Sequence, residues 1–251
     1  MEIQKSLGIV LYSRRLGEAD MCARIYTRES GKRCFVFKGL RKSKTRPHAA
    51  TEPGTLLNLV YYQHEEREYQ VVNEFRIEAH CGALREDLER IAHLYFLLEM
   101  VDRTSAPNDP HPQLYALLKG ALEELGRTDY TAHLSVFFCI HLLRRLGVLP
   151  DLSRCKMCGA REFQSFGFDR GELFAVCGTC ARESRGLKII KSARLGDYLR
   201  ATLGSRFSAT DHSIFQREDA LHLLFHLVLF TESYFHVEIK SKGILFDQKI
   251  A

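Results

Sequence analysis

Met21-Cys22-Ala23-Arg24-Ile25-Tyr26-Thr27-Arg28-Glu29-Ser30-Gly31-Lys32-Arg33-Cys34-Phe35-Val36-Phe37 decides the fold of the N-terminal third. Met21 to Thr27 alternates, with Met21, Ala23 and Ile25 on one face and Arg24 and Tyr26 on the other, as in a half-buried strand. Glu29-Ser30-Gly31-Lys32 predicts a hairpin turn, because Gly31 can take positive φ without a Cβ clash. Cys34 to Phe37 then returns as a second strand. Upstream, Gly8 to Tyr12 is a short apolar run. Downstream, Thr55 to Tyr62 is β-branched and aromatic, and Tyr69, Val71, Phe75 and Ile77 supply the inward face of a fifth strand. Five short strands in about eighty residues fit a small barrel such as an OB-fold.

The barrel region is strongly basic. Arg14 to Arg46 holds eleven Lys and Arg against Glu18, Asp20 and Glu29, a local charge of +8 within a chain of net charge +5. Such a patch suits a polyanion. Its densest part is Lys38-Gly39-Leu40-Arg41-Lys42-Ser43-Lys44-Thr45-Arg46-Pro47, read as a mobile loop at the barrel mouth, with Pro47 opposing helix at Arg46. A charge run alone is usually a solvated loop. On an OB barrel, a basic groove that tracks a phosphate backbone is the better reading.

Past Ile77 the period becomes helical. Leu84, Leu88, Ile91, Tyr95, Leu98 and Val101 recur at three- and four-residue steps. Ala106-Pro107-Asn108-Asp109-Pro110 breaks the chain. A second helix is expected over Gln113–Leu125 with Gly126 as its C-cap. A third, over Thr131–Leu146, is apolar nearly all round and therefore central. Helices near Ala193–Leu203 and Arg217–Phe235 complete a bundle.

Between the third and fourth helices stands Cys155-Lys156-Met157-Cys158, then Cys177-Gly178-Thr179-Cys180. Two residues between cysteines let both thiolates face one ion from a short turn. Four thiolates at Cys155, Cys158, Cys177 and Cys180 make a closed, structural zinc site. The apolar residues between the pairs, on either side of Asp169-Arg170-Gly171-Glu172, predict a hairpin that joins the two turns. An iron–sulfur cluster and a redox dithiol are the competing readings. A redox pair usually opens a helix after a strand, and one pair would suffice. A closed site leaves no position for metal catalysis.

Cys22, Cys34, Cys81 and Cys139 read as small buried hydrophobes. His222 and His226 could share a metal but have no acidic partner nearby, so they read as packing. No P-loop, nucleophile elbow or H-E-x-x-H occurs. Met1-Glu2-Ile3-Gln4-Lys5 does not open an export signal, and the apolar stretch Ala220–Phe230 is too short to span a bilayer. The expectation is a soluble, cytoplasmic chain whose cysteines stay reduced.

The order of basic barrel, helical bundle and inserted four-cysteine lobe resembles the RecO family of bacterial recombination mediators, in its zinc-bearing subset. The residues that carry the resemblance are Gly8-Ile9-Val10-Leu11, Gly17-Glu18-Ala19-Asp20, Tyr26-Thr27-Arg28-Glu29-Ser30-Gly31-Lys32, Phe37-Lys38-Gly39-Leu40-Arg41-Lys42, Thr51-Glu52-Pro53-Gly54 and the cysteine pairs. Ser241-Lys242-Gly243 is a weaker echo. The resemblance implies an α+β chain: an OB-fold DNA-binding domain at 1–80, a helical domain over 81–150 and 187–251, and a zinc-ribbon-like lobe at 151–186. It implies no enzyme activity. It implies binding of single- and double-stranded DNA, ATP-independent annealing, and loading of RecA with RecR onto DNA coated by single-stranded-DNA-binding protein, whose acidic C-terminal tail is a second contact. It also implies association with the nucleoid. Phosphate contacts are then expected from Arg14, Arg24, Lys38, Arg41, Lys42, Lys44 and Arg46. Tyr12, Tyr26 and Phe37 are available to stack on bases, with barrel core the preferred reading for Phe37. The alternative is a zinc-stabilised scaffold that docks acidic protein tails, with DNA contact secondary. A metal-dependent nuclease or deaminase is a third reading, opposed by the closed thiolate site and the missing H-x-E.

Overall fold

The expected alternation builds β1 (Glu2–Leu16), β2 (Asp20–Thr27), β3 (Gly31–Phe37), β4 (Leu56–Gln63) and β5 (Tyr69–Ala79). They close into a barrel in the order β1-β2-β3-β5-β4. The computed structural model describes residues 2–64, 67–163, 165–169, 171–183, 188–191 and 194–246. Its chain divides into two compact units, Met1–Arg127 and Thr128–Ala251.

β1 is longer than its apolar run because it serves two partners. Residues 2–9 pair with β4, and residues 8–16 pair with β2. Closure comes from a parallel match of β3 with β5, Cys34 opposite Tyr69 and Val36 opposite Val71. The interior holds Ile25, Phe35, Phe37, Leu57, Leu59 and Tyr61, all fully buried. Phe35 meets Tyr61 edge-on at 5.0 Å between centroids. Each such side chain contributes about 1.5–3 kcal/mol by leaving water.

The ladder shifts register between Val10 and Tyr12 in β1, and twice in β5, opposite Val60 and Tyr61 and again opposite Leu56 and Leu57. A bulge adds one residue and turns every later side chain to the other face. The inward residues of β5 are therefore Gln70 and Val72, followed by Phe75 and Ile77. Tyr69 and Val71, expected inside, lie on the outer wall, because strict alternation fails across the bulge.

In the first unit a 3-10 turn at Gly82–Glu86 precedes α1 (Leu88–Thr104) and α2 (Pro112–Leu125). α1 starts later than Leu84 because Asp87 caps it, its carboxylate accepting from Glu89 N at 2.9 Å and Arg90 N at 3.1 Å. Gly126 is the C-cap of α2, as expected, with right-handed backbone at φ −74°. The α1–α2 loop lies on the β2–β3 turn. Lys32 bridges to Pro107, and Asn108 N donates to Lys32 O at 3.0 Å.

The second unit holds α3 (Thr131–Arg145), β6 (Ser165–Asp169), β7 (Glu172–Val176), α4 (Gly178–Glu183), β8 (Lys188–Lys191), α5 (Leu195–Gly204), α6 (Arg217–Phe235) and α7 (Lys242–Phe246). α3 is buried along most of its length, as its composition predicts, and packs on α6. The α6 bounds match the sequence reading. β8 and α7 are too short to show a period. Arg170, residues 184–186 and Ala193, which fall in the expected hairpin, lobe and helix, lie outside the described residues. Among the described residues no helix is long and apolar enough to cross a membrane.

Three histidines in this unit are held by main-chain carbonyls. His133 Nε2 donates to Phe215 O at 2.6 Å, His212 Nε2 to Phe207 O at 2.9 Å, and His141 Nε2 to Thr202 O at 2.9 Å. Burial, the largest cause in each case, holds all three below the usual histidine range. A native pKa below the unfolded one means the unfolded chain binds protons first as pH falls. The stability is complete above the unfolded pKa of about 6.5 and is lost below it, at up to about 1.4 kcal/mol per pH unit for each histidine. Urea midpoints should fall between pH 7.5 and 5.5, with a shallower slope in His133→Gln. An unchanged midpoint, or an unaltered slope in that variant, would assign acid sensitivity elsewhere.

Candidate nucleic-acid interface and candidate metal centre

The basic segment after β3 is not the open mobile loop that its composition suggests. It folds as 3-10 turns at Leu40–Lys42 and His48–Thr51, pinned by Leu40 and Ala50 in the barrel core. The β1–β2 turn receives it. Asp20 Oδ1 accepts from Gly39 N at 2.7 Å, and Ala19 O accepts from Arg41 N at 2.9 Å. Ser43 Oγ accepts from Arg46 N at 2.9 Å and from Thr45 N at 3.3 Å.

The seven expected phosphate-binding residues divide by what already holds them. Arg41 donates to Gly17 O at 2.9 Å and Glu18 O at 3.0 Å, so it clamps the turn. Arg46 donates to Lys38 O at 3.0 Å and lies over the Phe75 ring, 4.8 Å from its centroid. Arg24 pairs with Asp102 of α1 at 2.7 Å. Arg14 donates to the Tyr69 hydroxyl at 3.2 Å yet stays exposed. Lys42 makes only a solvent-screened contact with Glu18 at 3.3 Å. Lys38 and Lys44 are exposed with no ion pair among the described residues. Lys38, Lys42 and Lys44 are thus exposed on the one segment that follows β3, while Arg14 and Arg24 lie in β1 and β2.

Asp102 and Tyr69 were missed in the sequence. Asp102 is mostly buried, and burial pushes its carboxyl up despite Arg24 and Lys32 beside it. Lys32 also donates to Asp102 O. These partners lie far apart in the chain, so no local spacing announces them. Of the three candidate stacking aromatics, Tyr26 and Phe37 are fully buried and unavailable to bases, whereas Tyr12 is 50% exposed. Phe37 is barrel core. Tyr26 points outward but is covered by the loop at Asp109 and His111.

In the second unit, β6 and β7 form the expected hairpin and bring the cysteine pairs together. The first pair sits in a turn closed by Cys155 N to Ala160 O at 2.7 Å and Gly159 N to Cys155 O at 2.9 Å. Gly159 is left-handed at φ 78°, which only glycine takes freely. The second pair departs from a simple turn. Cys177 follows β7 directly, and Cys180 lies in α4. That is the placement of a redox pair, but the other two sulfurs converge on it.

All four Sγ atoms lie within 4.8 Å of one another, and Cys158 and Cys177 are 3.6 Å apart. A disulfide would need about 2.05 Å. A tetrahedron around an ion at about 2.3 Å has edges near 3.8 Å. A multi-iron cluster would hold the sulfurs further apart. Burial pushes the Cys155 thiol up, but backbone N–H groups of Cys177, Cys158 and Met157 outweigh it and bring it down to about 6. Cys177 is lowered, first by the Cys180 N–H. Cys180 is pushed up to about 12 by the Cys177 and Cys158 sulfurs. Cys158 is also raised: the Ala160 N–H pulls it down, but the Cys177 and Cys155 sulfurs outweigh that pull. Four thiolates this close cannot all ionise unless a cation sits among them, so the donor set fits one metal ion. His222 and His226 form no such site. His222 is exposed, and His226 donates from Nδ1 to His222 O at 2.8 Å with its ring against Phe168.

Residues 1–80 match the family model described as Recombination protein O N terminal, and residues 85–243 match Recombination protein O C terminal. Among curated proteins, the DNA repair protein RecO of Anaeromyxobacter dehalogenans is 32% identical, over 72% of each chain. That of Streptococcus equi subsp. zooepidemicus is 32% identical over 74% of this chain and 71% of its own. That of Leptospira biflexa is 29% identical over 72% and 73%.

Proposed function

This chain belongs to the RecO family of DNA repair proteins, and from that premise we infer that it is a DNA-binding recombination mediator in the cytoplasm. It holds DNA strands by their phosphates, anneals complementary strands without ATP, and with RecR helps RecA replace single-stranded-DNA-binding protein. The observation that carries the reading is the basic segment after β3, where Lys38, Lys42 and Lys44 are exposed on a stretch pinned to the core. Each phosphate neutralised releases condensed counterions, which supplies affinity and lets two strands share one surface. Arg14 adds a fourth charge on the wall. Arg24, Arg41 and Arg46 act mainly as struts that keep this surface in shape.

The metal is read as zinc, bound by Cys155, Cys158, Cys177 and Cys180. When bound it supplies folding energy. A centre with four protein thiolates has no open position for a substrate. The chain therefore works by binding rather than turnover.

Lys38→Glu, Lys42→Glu and Lys44→Glu together should weaken DNA binding at least tenfold at low salt. Each lost phosphate contact should reduce the slope of log K against log salt by about 0.7–0.9. Annealing of complementary oligonucleotides, with and without single-stranded-DNA-binding protein, should slow in parallel. Wild-type annealing with an unaltered triple variant would move the interface elsewhere. Absence of annealing by the wild type, with tight binding of an acidic peptide, would favour a scaffold.

A further inference from the structure

The bulge between Val10 and Tyr12 re-aims β1 where its side chains would otherwise continue the core pattern. Ile9, Val10 and Leu11 are all buried, and Tyr12 then emerges half exposed in the middle of a strand. Its neighbours across the outer wall are fixed by register. Tyr12 lies opposite Arg24, Arg24 opposite Cys34, and Cys34 opposite Tyr69. The Arg24 guanidinium sits over the Tyr12 ring, 5.4 Å from its centroid, and is itself held by Asp102 at 2.7 Å. Two residues along the same face, exposed Arg14 is held by the Tyr69 hydroxyl at 3.2 Å. Glu68, beside that hydroxyl, is the acidic group at this edge. An exposed aromatic costs solvation and adds nothing to the core. Here it is braced by a cation whose own counterion comes from a different element.

We propose that Tyr12, braced by Arg24 and flanked by Arg14, is a stacking platform for an unpaired base, so that this wall of the barrel engages single-stranded DNA. Stacking needs a free base face, which a duplex does not offer at its wall, whereas the lysine segment meets phosphates of either form. Charge complementarity selects a nucleic acid, since Arg14 and Arg15 are exposed along the strand that follows Tyr12. The wall thus separates single from double strands, a distinction that phosphate contacts alone cannot make. The inference rests on the DNA-binding reading.

The full chain is titrated with three labelled probes of equal length: oligo-dT, an abasic oligonucleotide and a duplex. In Tyr12→Ala, affinity for oligo-dT should fall about 5- to 150-fold, the range for one lost stacked base. Affinity for the abasic strand and the duplex should stay at the wild-type value, and Tyr12→Phe should behave as wild type. The chain has no Trp, so Tyr12→Trp gives a single reporter whose emission should be quenched by oligo-dT and not by the abasic strand. Unchanged dT binding in Tyr12→Ala, or equal loss on dT and abasic strands, overturns the platform while leaving the DNA-binding reading intact. Quenching of Tyr12→Trp by an acidic peptide but not by oligo-dT also overturns it. If the wild type binds none of the three probes, the DNA-binding reading fails and the platform with it.

Discussion

Cys177→Ser is expected to unfold the cysteine lobe and to strip the chain of its metal. Cys177 and Cys155 are both buried, and each sulfur also receives backbone N–H groups. A hydroxyl in either place is a poor metal ligand and leaves three thiolates with one coordination position open to water. Structural four-ligand zinc sites contribute about 10–16 kcal/mol of apparent binding energy in small peptides, so losing a quarter of that, roughly 3 kcal/mol, rivals a lobe's own stability. Part of the lobe's packing centres on these cysteines. Its own cluster is Phe174, Val176 and Ala181 packed around the cysteines. Metal content should drop from about one equivalent towards zero. Proteolysis should cut between Leu152 and Ala181, and solubility should decline. Cys158→Ser, at an exposed ligand, should do the same more mildly. DNA binding by the barrel should persist. A Cys177→Ser protein that keeps its metal and resists proteolysis would refute a structural role. One that stays folded but no longer binds DNA would give the metal a direct functional part.

The second large effect is expected at Gly31. Its φ is 67°, and a Cβ there would lie 2.3 Å from Asp109 O and 2.7 Å from Asp109 N. Alanine in the left-handed region costs about 1–2 kcal/mol, and pushing a backbone aside adds about 1–3 kcal/mol. The clash lands on the loop that joins the β2–β3 turn to α1 and α2, next to the Asn108–Lys32 bond. Gly31→Ala should therefore lower the melting temperature by on the order of 10 °C. Gly17 is an internal control. It has φ 60° but open space around its Cβ position, so Gly17→Ala should carry only the conformational part. Equal effects at the two glycines would show that the contact with Asp109 adds nothing.

What the sequence revealed depended on how local its cause was. The cysteine site was legible because four ligands at fixed short spacings leave few other readings. α6 was legible because its apolar period runs unbroken from Arg217 to Phe235. The strands were legible as strands, but their register shifts were not, so Tyr69 and Val71 were assigned to the wrong face. The β3–β5 pairing that closes the barrel joins segments whose match no local pattern encodes. The basic patch was legible in composition and misleading in detail. Eleven cations between Arg14 and Arg46 overstate the charge on offer, because Arg24 and Lys32 face Asp102, and Arg41 and Arg46 serve the backbone.

Closure of the barrel gives each of its strands two neighbours, which limits the edge that the first unit offers to a foreign strand. The β7-β6-β8 sheet does not close, and among the described residues β7 and β8 are its edge strands. On the β7 side, Lys156 N donates to Ala175 O at 2.9 Å, and Lys156 also pairs with Glu172. The turn that carries the first two metal ligands thus occupies an edge position that a foreign strand would want. An ion that held that turn in place would guard against self-association. Its loss would turn a folded lobe into a template for aggregation before the helices around it come apart.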